Sequence, residues 1–146
     1  MNNSDEENIG LEQLLSQGKA QKELAEDKLK KRLKQVTPKL FADFLAEKGA
    51  AQHCLSCGYT KLSVPESGSF NPADLPDSFE EIPIEELMKT IKRYVTYHYI
   101  DPNAYPRPSN CEYRVSCMNC GHVSSYRVNP VLQWIEDKNK AVDDEQ

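Results

Sequence analysis

Hydrophobic residues near the start of the chain fall into a helical rhythm. Ala25, Leu29, Leu33, Val36 and Leu40 recur every three or four positions from Gln21 onward, as one face of a helix requires. Upstream, Ile9, Leu11, Leu14 and Leu15 suit a shorter amphipathic helix that Gly18 weakens. Residues 1–8 are polar and read as a disordered tip. Thr37-Pro38 marks a new start, with Thr37 as the cap and Pro38 at the first helical position. Leu40, Phe41, Phe44 and Leu45 fill one side of that helix, and Gly49 is placed to end it.

Alternation replaces the helical rhythm at Tyr59–Val64, which predicts a strand. Pro65, Pro72 and Pro76 then break residues 65–77 into a loop. Ile84, Leu87, Met88, Ile91 and Val95 return to helical spacing, with Pro83 at the first helical position. In the following stretch (Tyr94, Tyr97, His98, Tyr99), periodicity fits both a continuing helix and a strand starting near Thr96. Tyr113, Val115 and Cys117 alternate with polar residues, and Val123–Val128 supplies a second strand, so the two form a hairpin. Asn129-Pro130 repeats the start signal, with Asn129 as cap, before a short helix carrying Val131, Leu132, Trp134 and Ile135.

The expected fold is therefore α+β: small antiparallel β-hairpins flanked by an N-terminal helical arm, an inserted helix and a short C-terminal helix. The expected divisions are the tip at 1–8, the arm at 9–50, a domain at 51–135 with an insert at 65–110, and a charged, fraying tail at 136–146.

Charge changes this picture locally more than globally. The 146 residues carry a net charge of −5, which argues against a general coat for nucleic acid. Yet Lys28, Lys30, Lys31, Arg32, Lys34 and Lys39 form a basic run without an acid, following an acidic first stretch. Such a run suits phosphate contact or a solvated helix face. Glu26 and Asp27 stand four residues before Lys30 and Lys31, an order that supports the helix. No apolar run approaches the ~18 residues of a membrane span. The polar start, Met1 to Glu7, is not a secretory signal, so the expected compartment is the cytoplasm, where thiols bind metal rather than one another.

The chemistry concentrates in two matching stretches, Cys54-Leu55-Ser56-Cys57-Gly58 and Cys117-Met118-Asn119-Cys120-Gly121. Two residues between cysteines let one tight turn aim both sulfurs at one cation, and the glycine suits a backbone with positive φ. Four thiolates make a closed tetrahedral site for one structural Zn²⁺ ion, with Zn–S bonds of about 2.3 Å. Closure leaves no position for a substrate or water. No Ser/His/Asp set, phosphate loop or paired carboxylates are visible, so an enzyme with a small-molecule substrate is not expected. His53 and His122 adjoin the turns and stand as alternative ligands or hydrogen-bonding neighbours. Cys111 is the fifth of five cysteines and reads as a buried spare thiol whose replacement by serine is nearly silent.

Paired C-x-x-C-G turns resemble the zinc-ribbon class of small modules. The resemblance covers the turns and flanking strands, about 35 residues. It implies that each turn tops a β-hairpin and that Cys54, Cys57, Cys117 and Cys120 clasp one zinc. It also implies association with nucleic acid or the transcription machinery, through the basic run and through Arg107, Arg114 and Arg127. Cys57-Gly58-Tyr59 is also similar to the first turn of the rubredoxins, which implies an iron electron carrier, although Met118 and Asn119 lack the proline those proteins often carry. A short chain with a lone ribbon and charged helices is further similar to accessory proteins of phage and prophage genomes. Partner classes remain two at this point: a regulatory or adaptor role on nucleic acid, and a protein-binding module that uses the tyrosines of the insert.

Overall fold

The computed structural model describes residues 3–75, 77 and 79–144. It is an α+β fold that opens with helix α1, Asn3–Leu33. The expected disordered tip at 1–8 is therefore helical from Asn3, and the two separate segments expected around Gly18 are one element. A glycine costs a helix interior about 1 kcal/mol. Thirty-one residues rich in Glu, Gln, Leu and Lys absorb that cost. Acids concentrated early and Lys30, Lys31 and Arg32 in the last turn also match the helix dipole. The side chain of Ile9 lies outside those described, while Leu11, Leu14 and Leu15 stand exposed. Among the described side chains of α1, only those near its end, Leu29 and Leu33, enter the core.

Helix α2, Pro38–Glu47, has both ends written in sequence. Thr37 Oγ1 accepts a hydrogen bond from the Leu40 amide at 3.2 Å. At the other end Gly49, with φ 72°, lets its amide reach Ala46 O and the Ala50 amide reach Leu45 O, at 3.2 and 2.9 Å. Glycine satisfies these last carbonyls without the strain a Cβ would bring.

The central strand is β5, Cys111–Cys117, whose residues alternate between buried and half-buried. One side pairs with β6, Val123–Arg127. The other side pairs with β4, Tyr97–Tyr99, near its start and with β1, Leu62–Ser63, near its end. Strands β2, Glu66–Ser69, and β3, Lys92–Val95, form a separate ribbon. Three expectations change here. The strand at Tyr59–Val64 shrinks to β1. The loop at 65–77 contains β2, because Pro65 and Pro72 lie outside that strand and leave its amides free to pair; Pro76 lies outside the described residues. The helix carried to Val95 stops early as α3, Ile84–Lys89; β3 begins at Lys92, and the strand expected near Thr96 is β4, which begins at Tyr97. Val95 had matched helical spacing, but its backbone partner across the ribbon decides the outcome, and its amide also reaches Val36 O at 2.9 Å.

Helix α4, Val128–Asp144, begins two residues before Pro130. Asn129 is thus inside the helix rather than its cap. Proline is tolerated there because first-turn amides have no intrahelical acceptor. The helix also runs on through most of the expected fraying tail, where Arg32 Nη2 meets Glu136 Oε1 at 2.8 Å. Its buried face (Val128, Val131, Leu132, Ile135) joins the end of α1, α2 and the inner face of β5 in one core. Phe41 is central, with its ring 5.0 Å from Tyr113 and 6.1 Å from Tyr126. Trp134 packs edge-on to Phe44 and donates to Glu47 at 2.8 Å. No described helix is long and apolar enough to cross a membrane.

Candidate metal centre

Two turns bring four sulfurs together at one end of β5. The second turn links β5 to β6, so the hairpin register fixes Cys117 at the strand's last position. The first turn precedes β1, whose Leu62 lies opposite Cys117. Among the described residues no strand precedes Cys54, so only the second turn tops a regular hairpin. A further link is the Met118 amide, which donates to Lys61 O at 3.1 Å and clamps the turns side by side.

The turns are near copies. Gly58 and Gly121 both have φ 79°, and their amides donate to Cys54 O and Cys117 O at 2.9 and 3.1 Å. Amides of Ser56 and Cys57 point at Cys54 Sγ (3.3 and 3.4 Å), as those of Asn119 and Cys120 point at Cys117 Sγ (3.4 and 3.5 Å). Each turn therefore offers its sulfur a pair of fixed partial positive charges before any cation is considered. Positive φ at the closing glycine lets the chain reverse, and a side chain there would be strained.

All four sulfurs lie within 4.8 Å of one another. Cys54–Cys120 and Cys57–Cys117 are each 3.6 Å apart, far beyond a disulfide bond of about 2.05 Å. A tetrahedron with metal–sulfur bonds of about 2.3 Å has edges of about 3.8 Å. The four cysteines are thus positioned to hold one metal ion. Neither His53 nor His122 joins the group; both are exposed, and the His122 carbonyl accepts from the Cys117 amide at 2.8 Å.

Electrostatics set Cys54 and Cys57 apart from Cys120. The side-chain amide of Asn119, 3.6 Å away, and then the Tyr59 amide pull Cys57 down to about 6. The Cys57 amide, with that of Ser56, lowers Cys54 against the opposing effect of burial. At Cys120 the His122 amide pulls downward, but the sulfur of Cys54, burial and the other two sulfurs outweigh it and push the thiol up to about 11. A cluster of thiols cannot shed every proton without a neutralising charge. A bound cation would supply it, and soft thiolates select Zn, Cu(I) or Fe over hard cations. Asn119 was not singled out from the sequence, although its place inside the C-x-x-C spacing was the available signal.

The other expected contact residues scatter. Lys28, Lys30, Lys31 and Lys34 are exposed around the end of α1, while Arg32 is tied to Glu136. Arg114 pairs with Glu112 at 3.2 Å, and Arg127 lies across from Glu112 on β6. Arg107 stacks over Tyr105 in the loop before β5. Cys111 is fully buried, and burial pushes its thiol up to about 11. The tyrosines of the insert divide between the core edge, where Tyr97 and Tyr99 are half-buried, and the exposed Tyr105. Comparison with known proteins finds no matching family model, no similar curated protein and no similar solved structure. Fold and site thus define this chain only as an α+β protein with four cysteines positioned to hold one metal ion.

Proposed function

We propose that the protein is a zinc-held, non-catalytic binding module that works on nucleic acid through the basic surface at the end of α1. The carrying observation is the four-sulfur cluster, all within 4.8 Å, which offers four ligands to one metal ion. A metal so enclosed has no open position for substrate or water, so its role is to fasten the first turn to the β5–β6 hairpin. The paired turns and their matched glycines favour a zinc-ribbon-like reading; the missing strand before Cys54 departs from the simplest ribbons. Lys28, Lys30, Lys31 and Lys34 are exposed, and none forms an ion pair among the described residues.

The test has two parts. Elemental analysis of freshly prepared protein should give one zinc per chain, and Cys117→Ser should lose it. Iron in place of zinc, with visible colour, would instead favour the electron carrier. Oligonucleotide binding should weaken steeply as salt rises. A flat response would favour the protein-binding reading, which draws support from the acidic total and from exposed Ile84 and Met88 on α3.

A further inference from the structure

A second concave surface lies between elements distant in sequence. The last turn of α1 contributes Lys31, the turn after it Lys34 and Gln35, the segment after β2 Phe70 and Asn71, and the first residue of β3 Lys92. They line an open groove of about 480 Å³, within the size range of small-ligand sites. No carboxylate lines it, although the chain as a whole is acidic. Nearby arginines are engaged elsewhere, Arg93 with Glu66 and Arg32 with Glu136. The three lysines are all exposed and unpaired among the described residues.

The aromatic ring distinguishes this groove from a plain basic face. Phe70 is 56% exposed, a large apolar surface left beside three ammonium groups. It also borders an apolar recess of about 210 Å³ formed with Leu75, Leu87 and Ile91, so the ring separates a cationic groove from an apolar one. Asn71 Oδ1 is held by the Ala73 amide at 3.0 Å, which leaves its NH₂ as a donor. A ligand matching all of this carries spaced anions, a flat face for stacking and acceptor atoms on its edge. Unstacked bases on a phosphodiester strand have all three; a duplex hides its base faces, and an acidic peptide leaves the ring unused.

We propose that this groove binds single-stranded nucleic acid, with phosphates on Lys31, Lys34 and Lys92 and a base stacked on Phe70. This rests on the nucleic-acid reading above and deepens it by naming the strand state and the contact residues. Each lysine that neutralises a phosphate adds ~0.7 to the salt slope on a single strand, so three give a slope of about −2. Base–aromatic stacking is largely salt-independent, so its loss changes affinity without changing the slope.

The experiment is fluorescence anisotropy of the full zinc-loaded chain with a labelled oligothymidylate, at several salt concentrations from about 50 to 200 mM. The wild type should prefer the single strand to a duplex. Phe70→Ala should weaken binding about tenfold with the slope intact, and Phe70→Tyr should restore it. Lys34→Ala should lower the slope by ~0.7. Circular dichroism and zinc content of each variant check that the fold is retained, which the exposure of both side chains favours. Single-strand binding that ignores Phe70→Ala would overturn the groove and leave the nucleic-acid reading standing. Tighter binding of the duplex, or of an acidic peptide, would also overturn it. No oligonucleotide binding at the lowest salt would overturn both.

Discussion

Phe41→Ala is the sharpest test of how the helices are fastened to the sheet. The ring is 1% exposed and touches Tyr113 on β5 and Tyr126 on β6, the two strands that carry the second cysteine turn. Truncating a phenylalanine so enclosed removes its transfer free energy and leaves a cavity, together about 3–5 kcal/mol. Domains of this size are stable by only about 5–15 kcal/mol, so the loss is a large share. An unfolding entropy of about 2.1 cal/mol/K per residue gives about 0.3 kcal/mol per degree for 146 residues. Tm should therefore fall by about 10–15 °C. Thermal melts followed by far-UV circular dichroism measure it, and fluorescence of the single Trp134, buried in the same core, should move with it. A fall of less than about 3 °C would refute the placement of α2 against β5.

Tyr113→Phe should act in the opposite direction. Its hydroxyl is buried without a partner among the described residues, so removing it should stabilise the fold by about 1 kcal/mol in a denaturant titration; a loss would mean that the hydroxyl is hydrogen-bonded. Cys111→Ser, which the sequence alone reads as nearly silent, should cost about 1–3 kcal/mol, because full burial leaves a hydroxyl among apolar groups, while Cys111→Ala should cost less. Thr37→Ala should cost about 1 kcal/mol through the lost cap, with Thr37→Ser near wild type. Acid should release the metal, because protons compete with it for the thiolates; in the metal-free chain Cys57 is pulled down to about 6 from its ordinary 9.0, so the stability its thiolate contributes is full above about 9 and lost as pH falls through about 6. Uptake near pH 7 should release protons, since Cys120 sits near 11; a pH-independent affinity between 5 and 8 would contradict this.

What was legible in the sequence was whatever local chemistry determines. Thr37, Pro38 and Gly49 bound α2 because caps act within one turn of chain, and the C-x-x-C-G turns announced themselves because two sulfurs and a glycine are all a knuckle needs. What was not legible depends on partners far away. Val95 satisfies a helical spacing, yet it joins β3 because β2 lies opposite, a pairing across 23 or more residues that no local rhythm records. The same holds for the proposed groove. Lys31 and Lys34 read as part of a basic run that suits phosphate contact or a solvated face, and Phe70 as a residue in a loop; only the β2–β3 ribbon, carried to the end of α1 by the Val95–Val36 hydrogen bond, sets them beside Lys92. The metal centre and the groove thus differ in kind. One is specified by spacing, and substitutions inside its two short segments should abolish it. The other is specified by tertiary packing, so changes that loosen β3 from Val36 should weaken strand binding even with every lysine in place.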